Sequence, residues 1–300
     1  MAPSRSDAAV RPGPAAAGWS RAERGVIADA VRSAPSVHGG QPWVLRFADG
    51  GAAIHERLGR PDRDDPLGRD RLLSCGAALA NLVLAARMLG WTTRLDLFRD
   101  PAQPDEVGRV TVTGRQEPSG VDTEWYAVLG ARHSHRAPFA DAALPASLRA
   151  ELVGAAGTDG VQPRPIRAEE VPALAELLRH AAAMTGGFGG ERDETSLPWM
   201  PAPVAVPDQR MLAARMRAEY LLVLLTPDDG KADQVRAGIA LQRTWLAATG
   251  AGLGCSVLTR PLFAPAVRGT LVDRLGLPGH PQALLRIGYP TTATGRRSSP

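Results

Sequence analysis

The sequence predicts a protein of mixed helices and strands that contains two copies of one structural unit. The segment GAALANLVLAARMLG, which begins at Gly76, matches GIALQRTWLAATGAG, which begins at Gly238, at seven of fifteen positions without a gap. A weaker match pairs APSVHGGQP with AAGTDGVQP, and both halves run in the order helix, loop, strand and long apolar helix. Self-similarity of this kind indicates a duplication. We expect the two long helices to pack across a pseudo-twofold axis.

Regular structure is expected to begin near Trp19. The preceding residues 1–18 are rich in proline, glycine and alanine, a composition that predicts a disordered tail. Ser20, followed three residues later by Glu23, forms the pattern of a capping box. The helix that begins there is expected to run to about Arg32 and to stop at Pro35, because proline cannot continue a helix.

Two pairs of strands and one buried helix are expected next. The segment WVLRFADGGAAIHERL predicts two short strands joined by a turn at Asp49–Gly51. The helix RLLSCGAALANLVLAARMLGW, closed by Gly90, is apolar on nearly all faces, which is typical of a helix inside a core. TTRLDLFRD and GRVTVTG predict the second pair of strands.

The second half repeats this plan with additions. A helix is expected from about Asp122 to Leu129, then RHSHRAPF, then the helices LPASLRAELVGAAG and VPALAELLRHAAAMT. EYLLVLLT predicts a buried strand, DQVRAGIALQRTWLAATGAG the second long helix, and GCSVLT and ALLRIGYP the closing strands. Residues 186–207, rich in Gly and Pro, are expected to be either a lid over a site or a mobile surface loop. We place the halves at 19–120 and 121–300, packed as one globular unit.

Composition narrows the class of protein. The 44% hydrophobic and 22% charged residues are those of a globular chain. A net charge of +4 with dispersed arginines does not indicate nucleic-acid binding. No stretch approaches the roughly 18 apolar residues of a membrane span, and no signal peptide is recognisable. Cys75 and Cys255 form no disulfide or metal pattern. A cytoplasmic location is expected.

The most specific local pattern is the loop APSVHGGQPW. Pro35 ends the preceding helix, Ser36 offers a hydroxyl, and Gly39 and Gly40 allow the backbone to approach a ligand closely. Gln41 precedes a rigid Pro-Trp pair. From these residues alone, a ligand site and a simple helix-to-strand connection that packs its tryptophan in the core are equally consistent.

A second candidate is RHSHR, residues 132–136. Alternate residues of an extended segment share a face, so Arg132, Ser134 and Arg136 would form a cradle for a phosphate or another oxyanion. His133 and His135 are expected on the opposite face. The alternative is a solvated basic patch. No metal is expected, because this pair of histidines has no third ligand at an informative spacing.

Three further patterns are less informative. GRR, residues 295–297, is either a flexible basic tail or part of a phosphate clamp. GAGLGC, residues 250–255, resembles a nucleotide-binding fingerprint but follows a helix instead of a strand, which argues against a dinucleotide fold. Cys75 lies on the apolar helix and is expected in the core, not as a nucleophile.

In this order, the patterns resemble the flavin-dependent nitroreductase superfamily, and more closely its single-chain, Acg-like mycobacterial branch. The resemblance rests on APSVHGGQPW, SCGAALANLVLAARMLGW, RHSHRAPF, GLGCSVLT and LLRIGY with the terminal GRR, and it covers nearly the whole chain from about Trp19. It implies an α+β, nitroreductase-like fold, duplicated so that one chain resembles a nitroreductase homodimer. It also implies one FMN per chain, because AAGTDGVQP lacks the Pro-Ser and Trp of the first loop.

The resemblance implies how FMN is bound. The second half would supply the phosphate-binding RxSxR and the first half the Pro-Ser loop. No catalytic acid or base is implied, since the flavin accepts and returns a hydride at N5. The superfamily usually has an Asn where this chain has Gly39, and the loss of that amide predicts a weaker or repositioned flavin ring. The implied FMN-binding residues are Pro35, Ser36, His38, Gln41, Arg132, Ser134, Arg136, Leu258, Thr259, Arg296 and Arg297.

The function implied is an FMN-dependent oxidoreductase that takes electrons from NAD(P)H and passes them to a small nitro-aromatic or quinone acceptor. An FMN-binding or sequestering protein with a lid-covered flavin and little turnover is the alternative. An oxidase or dehydrogenase of a biosynthetic product is a third reading. The expected partner is a small-molecule substrate, with no nucleic acid and no membrane. Because duplication removes the need for a dimer, a monomer or a loose homodimer is expected.

Overall fold

Two antiparallel sheets with the same strand order organise the protein. The computed structural model describes residues 19–36, 39–48, 50–58, 65, 67–184 and 209–291. The first sheet has the order β1-β2-β4-β3 and the second the order β5-β6-β8-β7. The strands of the first sheet are β1 (Trp43–Ala48), β2 (Gly51–Glu56), β3 (Trp91–Leu97) and β4 (Glu106–Arg115). Those of the second sheet are β5 (Gln162–Pro165), β6 (Tyr220–Thr226), β7 (Gly254–Leu258) and β8 (His280–Gly288).

Helices flank and separate these sheets. A short 3-10 turn, Arg260–Leu262, follows β7. The long helices α2 and α7 make the most extensive helix–helix contact. The helices are α1 (Arg21–Arg32), α2 (Arg69–Met88), α3 (Gly120–Ala127), α4 (Ala146–Ala156), α5 (Val171–Met184), α6 (Gln209–Arg217), α7 (Lys231–Gly250) and α8 (Pro265–Leu275).

The predicted α+β fold and its internal duplication are confirmed. Besides the shared strand order, α2 and α7 are each 20 residues long. Both are followed by a glycine in the left-handed region, Gly90 with φ 78° and Gly252 with φ 72°. The second copy is the larger, because α5 and α6 lie between β5 and β6, and α8 lies between β7 and β8. The corresponding strands of the first copy are joined without a helix.

Two glycines bring the long helices into backbone contact. A Cβ atom at Gly76 would lie 2.1 Å from the carbonyl oxygen of Val235, and one at Gly238 would lie 2.0 Å from that of Leu73. The two contacts are reciprocal, as a twofold relation requires. Only glycine permits helices to approach this closely. The close approach of the two helices therefore explains why both copies of the repeat have glycine at this position.

A buried polar contact accompanies this crossing. The side chain of Gln242 on α7 donates to Oδ1 of Asn81 on α2 at 2.8 Å. Asn81 in turn donates to the carbonyl oxygen of Ala30 on α1, also at 2.8 Å. Both side chains are fully buried, so each hydrogen bond offsets a desolvation cost that an unpaired amide would carry. The network ties three helices together in one register.

Most sequence-based predictions of elements are confirmed. The capping box of α1 is present, with Ser20 and Glu23 bonded to each other's backbone amides. Strands β1 and β2 form the expected antiparallel hairpin. Three elements were not predicted: α6, α8 and β5. Strand β5 was missed because its prolines argue against a strand, although proline is tolerated in an edge strand. Helix α8 was missed because it begins at Pro265 and contains Gly269, two residues that disfavour a helix pattern.

Helix α2 is buried along nearly its whole length. Among the described residues, it is the one helix long and apolar enough to cross a membrane by length and composition, and 78% of its most apolar window is buried inside the protein. This differs from the expectation that no stretch of the sequence approaches the apolar length of a membrane span. Burial on all sides agrees with the predicted core position. The predicted tail (1–18) and the segment 186–207 lie outside the described residues.

Candidate functional site

A cavity of about 630 Å³ lies where the two copies of the unit meet. The end of α1 and the loop after it, the first half of α2, residues 129–136, α7 and the end of β7 all contribute to its walls. Its size is within the usual range for small-molecule and cofactor sites. Eight of the residues singled out from the sequence line this cavity: Pro35, Ser36, Gln41, Arg132, Ser134, Arg136, Leu258 and Thr259. The other three, His38, Arg296 and Arg297, lie outside the described residues.

Two hydrogen bonds to Ser36 stabilise the loop after α1. The Oγ of Ser36 accepts a hydrogen bond from the backbone amide of Gln41 at 3.3 Å, and its carbonyl oxygen accepts one from the amide of Gly39, also at 3.3 Å. Gln41 has a φ of 43°, a conformation that is rare for a residue with a side chain. Backbone strain of this kind concentrates at ligand sites.

The conformation of Gly39 accounts for its residue type. Its φ is 66°, in the left-handed region. Glycine adopts this region freely, and asparagine is among the few other residues that do so routinely. The Asn expected from the resemblance and the Gly found here therefore suit the same backbone. With glycine at this position, residue 39 lines the cavity without a side-chain amide.

Residues 132–136 are fastened to the edge of the second sheet. Ser134 forms a parallel bridge with Cys255 of β7, and the amide of His135 donates to the carbonyl oxygen of Cys255 at 2.8 Å. Extended pairing here turns Arg132, Ser134 and Arg136 toward the cavity, as the alternation predicted.

One part of that prediction is wrong. His135 does face away, buried with its ring stacked on Phe139 at 4.6 Å between centroids. His133, however, lines the cavity beside the arginines. The segment forms only a single bridge instead of a regular strand, so the strict alternation of faces is not maintained on both sides of Ser134.

Arg132 is held in the cavity wall by contacts with α7 and with the end of α1. Its guanidinium lies 4.5 Å from the centre of the Trp245 ring on α7, and Nη2 donates to the carbonyl oxygen of Ser33 at 3.4 Å. Nε is buried and has no hydrogen-bond partner. Burial lowers the pKa of this side chain from its usual value. A partly buried guanidinium with one buried, unused donor provides a favourable position for an anion.

Asp70 was not identified from the sequence. It lies in the first turn of α2, lines the cavity and is only 3% exposed. Oδ2 accepts a hydrogen bond from Thr259 at 3.0 Å, whereas Oδ1 is buried without a partner. Desolvation, opposed by the Thr259 hydrogen bond, raises the pKa of Asp70 to about 7. A signal was available, since an aspartate in the first turn of a helix apolar on all faces must itself be buried.

Neither cysteine belongs to this chemistry. Cys75 lies on α2 but does not line the cavity. Cys255 lies on β7 and is buried. Burial raises the pKa of each thiol to about 12, so neither forms a thiolate near neutral pH. Within the described ranges, no group of three or more His, Cys, Asp or Glu side chains is placed to hold a metal ion.

Comparison with known proteins gives a consistent result. The Nitroreductase family matches residues 166–289, which hold most of the second sheet. The Bacteroides fragilis nitroreductase with bound FMN aligns with 15% identity and a TM-score of 0.42, covering 59% of this chain and 94% of its own. The Mycobacterium smegmatis nitroreductase NfnB in complex with NADPH aligns with 16% identity and a TM-score of 0.40, covering 56% and 88%.

Two relatives from Mycobacterium tuberculosis (strain ATCC 25618 / H37Rv) align over nearly the whole chain. One, whose proposed name is NAD(P)H nitroreductase Rv3131, is 30% identical over 295 residues, covering 89% of this chain and 84% of its own. The other, whose proposed name is NAD(P)H nitroreductase acg, is 30% identical over 319 residues, covering 91% and 93%. The shared sequence thus extends through both copies of the unit, and the chain belongs to the nitroreductase family.

Proposed function

We propose that this protein is an FMN-dependent oxidoreductase that transfers a hydride from NAD(P)H to a small acceptor of the nitro-aromatic or quinone class. The observation that carries the proposal is the partly buried Arg132 side chain, whose buried Nε has no partner, beside Ser134 and Arg136 in a cavity of cofactor size. No carboxylate of the described residues pairs with Arg132. An anionic group such as the FMN phosphate would satisfy it.

The remaining walls fit the rest of this cofactor. Arg132, Ser134 and Arg136 would hold the phosphate, whereas Ser36 and Gln41 on one side and the main chain of Leu258 and Thr259 on another would hold the ring. When bound, the flavin supplies the hydride chemistry. The relatives support this assignment, since one of the aligned structures contains FMN and another was determined with NADPH.

The protein's own residues perform three tasks in this proposal. Leu73, Ala77, Leu241 and Trp245 give the cavity an apolar lining, which excludes water and strengthens electrostatic interactions inside it. Trp245 also helps to position the Arg132 guanidinium through a cation–π contact. The third task is proton storage, for which Asp70 is suited because its pKa is raised to about 7.

Cofactor content tests the phosphate cradle directly. Purified protein is expected to show a flavin spectrum and about one FMN per chain, because the Arg132, Ser134 and Arg136 cradle lines one cavity of the described residues. The double variant Arg132→Ala/Arg136→Ala is expected to retain less than about a tenth of this, since two charge-assisted contacts are lost. The matched control is Arg46→Ala/Arg94→Ala, which removes two exposed arginines of the first sheet. Colourless protein that cannot be reconstituted, or equal FMN in both double variants, would disprove the cradle.

Anaerobic reduction tests turnover separately from binding. On adding NADPH or NADH without oxygen, the flavin absorbance is expected to bleach and then to return when a nitro-aromatic or quinone is added. Bleaching without re-oxidation by either acceptor would contradict the proposed acceptor class. A bound flavin that stays oxidised would identify a sequestering protein and would overturn the enzymatic part of the proposal, while leaving the cofactor site in place.

A further inference from the structure

A second cavity, of about 740 Å³, lies on the opposite side of the paired long helices. The pseudo-twofold axis relates it to the first. Leu241 and Trp245 of α7 line the first cavity, and the residues aligned with them on α2, Leu79 and Val83, line the second. The loop 157–159, aligned with the Pro-Ser loop, also contributes to its wall. A cavity is therefore present at the position that the duplication relates to the first cavity.

The second cavity is lined by larger side chains than the first at the aligned positions. Where the first cavity has Ser74 and Ala77 on α2, the second has Arg236 and Ile239 on α7. A Cβ atom at Gly160 would lie 3.1 Å from Cδ of Arg236, so this long side chain fills the space beside the loop. Small residues that leave room for a large flat ring have thus been replaced by bulky ones. This cavity does not suit a second FMN.

Basic side chains surround an apolar floor in this second cavity. Arg243 lies 5.6 Å from the centre of the Trp125 ring and donates to the carbonyl oxygen of Gly157 at 3.3 Å. Burial lowers the pKa of Arg243 from its usual value. The floor is formed by leucine and other apolar side chains, several of them only partly buried. Its four arginines are Arg87, Arg99, Arg236 and Arg243.

Acidic residues offset part of this charge. Asp122 lies 3.6 Å from Arg87. Asp96 is paired with Arg94, which is not part of the cavity wall. Asp159 is exposed at the rim. Asp233, which is not part of the wall, pairs with Arg236 at 3.1 Å. Among the described residues, Arg243 on the same helix, α7, forms no ion pair with a carboxylate, so its charge is available to an anion in the cavity.

We propose that this second cavity binds a small aromatic anion, a flat ring system that carries one acidic group. The floor and the Trp125 ring would bury the apolar ring, and Arg236 with Arg243 would bind the carboxylate, phosphate or sulfonate. Cavity volume limits the ligand to drug-like size. This site is separate from the proposed FMN site and does not depend on the oxidoreductase activity.

The test uses anilinonaphthalene sulfonate as the anionic probe and N-phenylnaphthylamine, which has the same rings without the sulfonate, as the neutral one. Calorimetric titration is made on protein as purified, and again after saturation with FMN. One molecule of the sulfonate is expected to bind per chain in both states. The double variant Arg236→Gln/Arg243→Gln is expected to weaken its binding at least tenfold and to leave binding of the neutral probe unchanged. Val83→Trp, which fills the floor, is expected to weaken both probes.

Two further variants test whether the sulfonate probe binds in the second cavity and not in the first. Arg132→Ala/Arg136→Ala alters the first cavity and is expected to leave sulfonate binding unchanged. Arg99→Gln changes an exposed side chain at the cavity rim and is expected to weaken sulfonate binding about threefold. No binding of the sulfonate, equal binding to the wild type and the Arg236/Arg243 variant, or loss only in the Arg132/Arg136 variant would each overturn the proposal.

Discussion

Replacing Gly238 by alanine is expected to lower the free energy of unfolding by about 3 kcal/mol or more, at the severe end of overpacking substitutions. The added Cβ would lie 2.0 Å from the carbonyl oxygen of Leu73 and within 2.9 Å of two more of its backbone atoms. A backbone cannot move aside as a flexible side chain can. The helices α2 and α7 must therefore separate, which also weakens the Gln242–Asn81 hydrogen bond. A melting temperature lower by roughly 5 °C is the expected observation for a chain of 300 residues.

The matched control is Gly154→Ala. Gly154 is also an internal helix glycine, on α4, but a Cβ there would meet nothing within 4 Å. Since alanine has the higher helix propensity, this variant is expected to be unchanged or stabilised by up to about 1 kcal/mol. Gly76→Ala is expected to behave like Gly238→Ala because its contact is the symmetric one. Equal melting temperatures for Gly238→Ala and Gly154→Ala would contradict the close helix crossing.

Asp70→Asn is expected to make the cofactor-free protein more stable above neutral pH by up to about 4 kcal/mol, at 1.36 kcal/mol per unit of pKa change. Burial raises the pKa of Asp70 from 3.8 to about 7, so the folded protein keeps a proton that the unfolded chain releases. Stability of the wild type therefore falls as pH rises from about 4 to about 7. Arg69 and Arg260 oppose this rise in pKa, and Asp65 adds to it. Asparagine cannot ionise, so the variant lacks this loss.

Thermal unfolding of apoprotein between about pH 4 and pH 8 measures this difference. The two proteins are expected to have similar stability at the acidic end, where Asp70 is neutral and nearly isosteric with asparagine, and to diverge as pH increases. Asp273→Asn, at an exposed position of α8, is the control and is expected to follow the wild type throughout. If the wild type and Asp70→Asn show the same pH dependence, the carboxyl of Asp70 is not held in its neutral form by the fold.

The repeat within the sequence was sufficient to predict the α+β duplication, because helix periodicity and glycine positions are local properties of the chain. Gly76 and Gly238 were matched before any contact between them was known. The cavity could be anticipated only through short patterns such as APSVHGGQPW and RHSHR, which lie about a hundred residues apart in the chain. Eight of the eleven residues named from them line one cavity. Their roles toward FMN stay a prediction until the cofactor content is measured.

The direction in which individual side chains point depended on tertiary contacts. His133 was expected away from the arginines, but a single bridge at Ser134 does not impose strand alternation on its neighbours. Asp70 was not singled out from the sequence, and it is the packing of Thr259 and the end of β7 against α2 that buries it and raises its pKa. In both cases the deciding contact comes from a residue more than a hundred positions away.

By itself, then, the sequence determined most of the elements, their duplication and the family resemblance, since these follow from periodicity, capping and glycine placement within short windows. Tertiary structure alone decided which side chains meet. It buried Asp70 beside Thr259, placed Arg132 over Trp245, and retained the second cavity with a basic lining. The physical reason is that burial and electrostatic environment are set by neighbours distant in the chain, and these determine pKa, charge pairing and the shape of a site.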